Sequence, residues 1–132
     1  MKIDFEKLIE AARGARQNAY APYSKYLVGA AALGKSGKVF SGCNVENAAY
    51  PSGLCAERVA IFKGVSEGER EFIALAVVTK NAGSPCGGCR QVLSEFAEDD
   101  AEIVLVDDAG KIRKRFLLKE ILPDRFGPQH LV

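Results

Sequence analysis

The stretch that most restricts the fold is FIALAVVT, residues 72–79. It is a continuous apolar run of strand length, and a strand with no polar face must be covered on both sides. EIVLVDD, 102–108, reads the same way. Helical patterns flank both runs. LCAERVAIFKGV, 54–65, precedes the first, and CGGCRQVLSEFAE, 86–98, lies between them. Helices alternating with buried strands predict an α/β domain with helices on both faces of a central sheet.

The rest of the chain fits this frame. Residues 3–19 carry Ile3, Phe5, Leu8, Ile9, Ala12 and Ala15 at helical spacing. Pro22 in YAPYS ends that helix, because the residue before proline is driven away from helical backbone. LVGAAAL and KVFSGCNV flank GKSGK, a strand–turn–strand pattern with glycine in the turn. AAYPSG reads as a loop with Ser52 and Gly53 as cap residues for the following helix. GKIRKRFLL reads as a polar or edge strand, its charges guarding against edge pairing. LKEIL is a short helix stopped by Pro123. There is no internal repeat or long linker, and residues 1–132 are expected to form a single domain.

Composition narrows the function. Hydrophobic residues make up 48% and charged residues 27%, as in an ordinary soluble globule. A net charge of +1 gives no general attraction to nucleic acid or acidic membrane surfaces. No apolar run approaches the roughly 20 residues of a membrane span. MKIDFEKLIEAAR is amphipathic and carries acids, unlike a signal or transit peptide. The expectation is a cytoplasmic protein with reduced thiols, and no nucleic-acid or membrane partner. Clustered cysteines in that compartment bind metal or do chemistry more often than they form disulfides.

The four cysteines are Cys43, Cys55, Cys86 and Cys89. A dithiol redox pair would use Cys86 and Cys89 in PCGGC and leave Cys55 idle. A structural zinc site needs four closed ligands, so it would have to recruit Cys43, since the only histidine, His130, lies in the tail. Cys43 sits in strand-like sequence and reads better as a small buried thiol. A catalytic site needs three ligands and an open position, which Cys55, Cys86 and Cys89 supply. Cys86 and Cys89 share a helix face at i, i+3, and Cys55 opens another helix. Helix N-termini favour thiolate.

Glu57 lies two residues past Cys55. A carboxylate beside an open zinc position can take the proton of an activated water and pass it on. A glutamate in a first helical turn is also common for dipole reasons alone. The joint pattern C-x-E…P-C-x-x-C is far more specific than its parts. Arg58 either drains charge from the thiolates or is a solvated helix arginine.

C-A-E followed 31 residues after Cys55 by P-C-x-x-C resembles the zinc nucleoside and nucleobase deaminases. APYSKYLVGAA, SGCNVENAAYPSGLCAER, SPCGGCRQVLSEF and EILPDRFGP look like the small cytidine deaminases of pyrimidine salvage, in that order. The stretches cover about half the chain. This resemblance implies a three-layer α/β/α domain with a central mixed sheet of about five strands. It implies one Zn²⁺ per chain on Cys55, Cys86 and Cys89, with Glu57 as the catalytic proton shuttle. The substrate would be a small-molecule nucleoside, cytidine or deoxycytidine, hydrolysed to uridine or deoxyuridine plus ammonia. Asn44 and Glu46 match positions that bind the ribose hydroxyl, and Arg58 matches a charge-neutralising arginine. The backbone N–H groups of Ala56 and Cys86 would meet polar atoms of the base. Tyr26 matches a base-flanking position usually held by phenylalanine, and Phe126 a C-terminal aromatic that reaches a neighbouring subunit's site. Cysteine at position 55, where related deaminases often carry histidine, implies the homotetrameric subgroup. Leu27, where proline is frequent, and Gly88, where alanine is common, are the other departures.

Three alternatives bound this reading. One is a related zinc deaminase of a modified nucleoside or free base, against which Asn44 and Glu46 together favour a ribose-bearing substrate. The second is a zinc-stabilised binding module closed by Cys43. The third is a dithiol oxidoreductase with a Cys86–Cys89 disulfide.

Overall fold

A computed structural model describes residues 2–131. Met1 and Val132, the ends of the expected domain, lie outside the described residues.

Five strands form one mixed sheet. They are β1 (Gly29–Gly34), β2 (Val39–Cys43), β3 (Phe72–Val78), β4 (Ala97–Val106) and β5 (Ile112–Leu117), in the order β2-β1-β3-β4-β5. β3 and β4 pair in parallel, and every other pair is antiparallel. β2 and β3 both run against β1, so they point the same way with β1 between them. Helix α2 (Ala56–Ser66) connects β2 to β3, and α3 (Gly87–Glu95) connects β3 to β4. Both crossovers step across the sheet in the same direction. The right-handed rule for such connections therefore places both helices on one face.

The core confirms the layering. On one face Ala56, Ala60, Ile61 and Leu93, with Leu118 of α4 (Leu118–Ile121), pack on Ala30, Ala32, Leu75, Val77, Ile103 and Leu105. On the other, Leu8, Ile9 and Ala12 of α1 (Phe5–Arg16) pack on Ala31, Leu33, Ala74, Ala76, Val78 and Val104. The three-layer α/β/α arrangement with five strands is as expected. β1 is buried along its whole length and offers mostly alanine to both faces, which lets helices approach from either side. β3 carries the larger payload. Full burial of one of its Leu, Val or Phe side chains contributes about 1.5–3 kcal/mol.

Several boundaries differ from the sequence reading, each for a local reason. α1 starts after residue 3 because Asp4 caps it, its Oδ1 accepting the Lys7 N–H at 3.1 Å. It ends at Arg16 with Gln17 as C-cap, so Pro22 does not set its end, contrary to the expectation. Ser52 and Gly53 do not cap α2. Residues 50–52 form a separate 3₁₀ turn, and the N-cap is Cys55. α3 ends at Glu95, before the expected 98, because Ala97 already pairs with Phe72. The polar AEDD stretch belongs to β4, which bulges so that Ala74 next faces Glu102. β5 is the expected edge strand, with Arg113, Lys114 and Arg115 exposed. A closing 3₁₀ turn, Pro128–Leu131, carried no signal in the sequence.

Two glycines test the packing of α1. A Cβ added at Gly29 would collide with the Ala12 carbonyl oxygen and lie 2.7 Å from Arg16 Cβ. One added at Gly14, inside α1, would meet nothing within 4 Å. Gly29→Ala is expected to lose about 1–3 kcal/mol through overpacking. Gly14→Ala is expected to gain up to about 1 kcal/mol from helix propensity. Urea unfolding of the two variants beside the wild type checks both signs.

Candidate functional site

Parallel β2 and β3 deliver their carboxyl ends to the same side of the sheet, and the loops that follow lead into α2 and α3. Cys55 is the N-cap of α2 and Cys86 the N-cap of α3. N-caps are normally Ser, Thr, Asp or Asn, whose oxygen accepts a first-turn N–H. Neither cysteine makes a capping bond. The two helix starts thus present sulfur and uncapped N–H groups to one place, with the positive end of each helix dipole behind them.

Cys89 completes the cluster from the first turn of α3. Cys55 Sγ lies 3.9 Å from Cys86 Sγ, and Cys86 Sγ lies 3.4 Å from Cys89 Sγ. All three sulfurs fall within 4.8 Å of one another. A tetrahedral zinc with Zn–S bonds of about 2.3 Å needs sulfurs about 3.8 Å apart, so this donor set fits zinc. Cys43 is a half-buried free thiol at the end of β2 and does not belong to the group. Among the described residues the cluster therefore has three protein donors, the number an open, catalytic site uses. The closed four-ligand alternative loses its fourth ligand.

The groups around the sulfurs shift one another's protonation. Arg58 Nη2 donates to Cys55 Sγ at 3.4 Å, and its Nε is buried without a partner. Hydrogen bonding from Cys89, and then from Arg58, pulls the Cys55 thiol well below its usual pKa, to about 5. The same bond to Cys55, together with burial, pushes the Cys89 thiol up. Glu57 is only 4% exposed. Burial raises its carboxyl to about 7, and the neighbouring Cys55 charge adds to the shift.

A cavity of about 630 Å³ opens onto Cys55, Glu57 and Cys86, within the size range of small-molecule sites. Tyr26, Asn44, Glu46, Ala56 and Arg58 also line it. Tyr50, 76% exposed, stands at its rim edge-on to Tyr23, ring centres 6.1 Å apart. Phe126 does not line the cavity. It is 55% exposed, stacks on His130, and its carbonyl accepts from Gln91 Nε2 at 3.0 Å.

Two of the polar residues hold up the cavity wall. Asn44 Oδ1 accepts the Val28 N–H at 3.0 Å, and its Nδ2 donates to the Tyr26 carbonyl at 2.8 Å. Glu46 accepts the backbone N–H groups of Tyr23 and Ser24, at 3.0 and 3.1 Å, and the Ser24 hydroxyl. The Ser24 hydroxyl and N–H, then the Tyr23 N–H, hold the Glu46 carboxyl below its ordinary value. Tyr26 donates its hydroxyl to Asn81 Oδ1 at 2.7 Å. Thr79 Oγ1 accepts the Gly83 N–H at 2.7 Å on the same wall. Ser24, Thr79 and Asn81 were not singled out by the sequence. Short polar residues in loops carry no spacing signal.

The comparisons with known proteins agree with this geometry. The family described as the cytidine and deoxycytidylate deaminase zinc-binding region matches residues 2–107. A cytidine deaminase of Sporosarcina psychrophila is 47% identical over 131 residues, covering 98% of this chain and 96% of the relative. One of Halalkalibacterium halodurans is 46% identical over 131 residues, covering 98% of each. The crystal structure of cytidine deaminase from Burkholderia pseudomallei superposes with a TM-score of 0.87 at 46% identity. That match covers 94% of this chain and all of the other, 100%.

Asn44→Ala would leave the Val28 N–H and the Tyr26 carbonyl unpaired. A loss of about 1–3 kcal/mol of stability is expected, read by urea unfolding without any ligand.

Proposed function

We propose that this chain, which belongs to the cytidine and deoxycytidylate deaminase family, catalyses the hydrolytic deamination of cytidine and deoxycytidine in pyrimidine salvage. It does so as one domain over residues 1–132. Water enters and ammonia leaves, giving uridine or deoxyuridine. The observation that carries this reading is the meeting of three sulfurs with the buried carboxyl of Glu57 at one cavity.

Cys55, Cys86 and Cys89 hold the zinc. Bound there, the metal supplies Lewis acidity, which brings the pKa of a water molecule down to about 7. Glu57 takes the proton of the attacking water, places it on pyrimidine N3, and later hands a proton to the amino group leaving C4. Arg58 hydrogen-bonds the Cys55 sulfur and offsets part of the charge of three thiolates.

The remaining residues orient the nucleoside. The N–H groups of Ala56 and Cys86, at the two helix starts, receive polar atoms of the base. The ring of Tyr26 flanks the pyrimidine. Asn44 keeps one amide hydrogen beyond its two backbone bonds, and Glu46 keeps acceptor capacity beyond its three. Both serve the ribose hydroxyl.

The working form is a cytoplasmic homotetramer, and Phe126 acts in the site of a neighbouring subunit. Its exposure outside this chain's own cavity supports that role, as does the rim of exposed aromatics at Tyr23 and Tyr50. Among the described residues no helix is long and apolar enough to cross a membrane.

Conversion of cytidine to uridine, followed by ultraviolet absorbance, tests the reading. Wild-type protein should turn over. Glu57→Gln should lose at least about 100-fold in kcat, within the range for a general acid–base group, while retaining one zinc per chain. Turnover surviving in Glu57→Gln would refute the proton shuttle. An inactive wild type with full zinc would point to a different amino-bearing base.

A further inference from the structure

The three sulfur donors are not equally secured. Cys89 is buried inside α3 and held by the helix itself. Cys86 is exposed and stands outside α3 as its N-cap, at the end of the loop that follows β3. That loop includes Ala82 with φ +57°, a conformation L-residues rarely adopt. Its path is not fixed by ladder pairing along its length, so the position of Cys86 Sγ depends on what grips residues 84–86.

One side chain grips the two residues before the cysteine. The Arg90 backbone N–H donates to the Cys86 carbonyl at 3.1 Å as the ordinary first i→i−4 bond of the helix; the side chain does the rest. Its Nε donates to the Pro85 carbonyl at 2.8 Å, and its Nη2 to Ser84 Oγ at 2.8 Å. The third nitrogen, Nη1, donates to the carbonyl of Ile121, the last residue of α4, at 2.7 Å. Each side-chain nitrogen has a partner, and the side chain is half-buried. A cation this near a helix N-terminus is electrostatically unfavourable, so free solvation is a poor account of its presence. The guanidinium's fixed fork matches three acceptors at once, which a lysine ammonium on a flexible stem does not reproduce.

We propose that Arg90 is a positioning residue for the metal centre: it holds the Ser84–Cys86 segment against α4 so that the Cys86 sulfur meets the other two. The proposal rests on Cys55, Cys86 and Cys89 being the zinc ligands. It adds a residue that touches neither metal nor substrate, and it makes the end of α4 part of the support of the site.

Zinc release is the measurement. Zinc-loaded wild type, Arg90→Lys, Arg90→Met and Ser84→Ala are mixed with excess chromogenic chelator, and the rate of metal transfer is followed. Thermal unfolding of each metal-free protein runs beside it. Arg90→Met should release zinc roughly 10–100-fold faster, the range for residues that orient metal ligands. Arg90→Lys should be only partly rescued. Ser84→Ala, which loses one contact, should release zinc severalfold faster with a metal-free melting midpoint near wild type. If Arg90→Met does not fold, Arg90→Lys and Ser84→Ala decide the matter. Release rates within twofold of wild type in the folded variants overturn the proposal, whatever happens to their melting midpoints. A wild type that holds no zinc instead sinks the ligand assignment, so the two failures are distinguishable.

Discussion

Everything at the site depends on two strands running the same way without touching. β2 and β3 are parallel to each other because each is antiparallel to β1. Their carboxyl ends therefore emerge on one side, and the two crossovers put α2 and α3 on one face. Two helix N-termini then converge, and the residue at each N-cap is a cysteine. The alanines of β1 allow α2 to sit close enough for this to work. Reversing β2 or β3 would send Cys55 and Cys86 to opposite ends of the sheet, and no side-chain change could reunite them.

The site is held by hydrogen bonds that a substrate never meets. Asn44 spans the backbone on either side of Leu27. Glu46 fastens Tyr23 and Ser24. Thr79 and Asn81 tie Gly83 and Tyr26 to the loop that ends at Cys86. Preorganisation of this kind matters because the acid–base role proposed for Glu57 would require it within a few tenths of an ångström of its proton donor and acceptor. Asn44 and Glu46 thus both brace the wall and line the cavity.

How much of this could be read from the chain depended on the range of the signal. β3 was legible because FIALAVVT leaves no polar face for solvent. The cysteine cluster was legible because i, i+3 spacing and two helix starts are local facts. The start of β4 was not, because AEDD looks like the polar tail of a helix and pairs only through a bulge against β3. The cap of α2 was misplaced for a chemical reason. Cysteine carries no capping signature, so Ser52 and Gly53 drew the assignment instead. Arg90 was invisible because an arginine after a cysteine in a helix reads as solvated, and its Ile121 partner is 31 residues away. The aromatic at 126 could be placed in the tail but not in a cavity. On a single chain it lies against His130 and not against the sulfurs.

The contact between Arg90 and Ile121 has a consequence for how the protein is made. Chains emerge from the ribosome N-terminus first, at about 5–20 residues per second. β1, β2, α2, β3 and α3, with all three sulfur donors, are translated before β4. The carbonyl that takes the third arm of Arg90 is synthesised 31 residues after the arginine itself. A nascent chain can therefore gather its thiols early, yet it cannot finish bracing them until β4, β5 and α4 have followed. Residues translated later act as a lock on chemistry assembled before them.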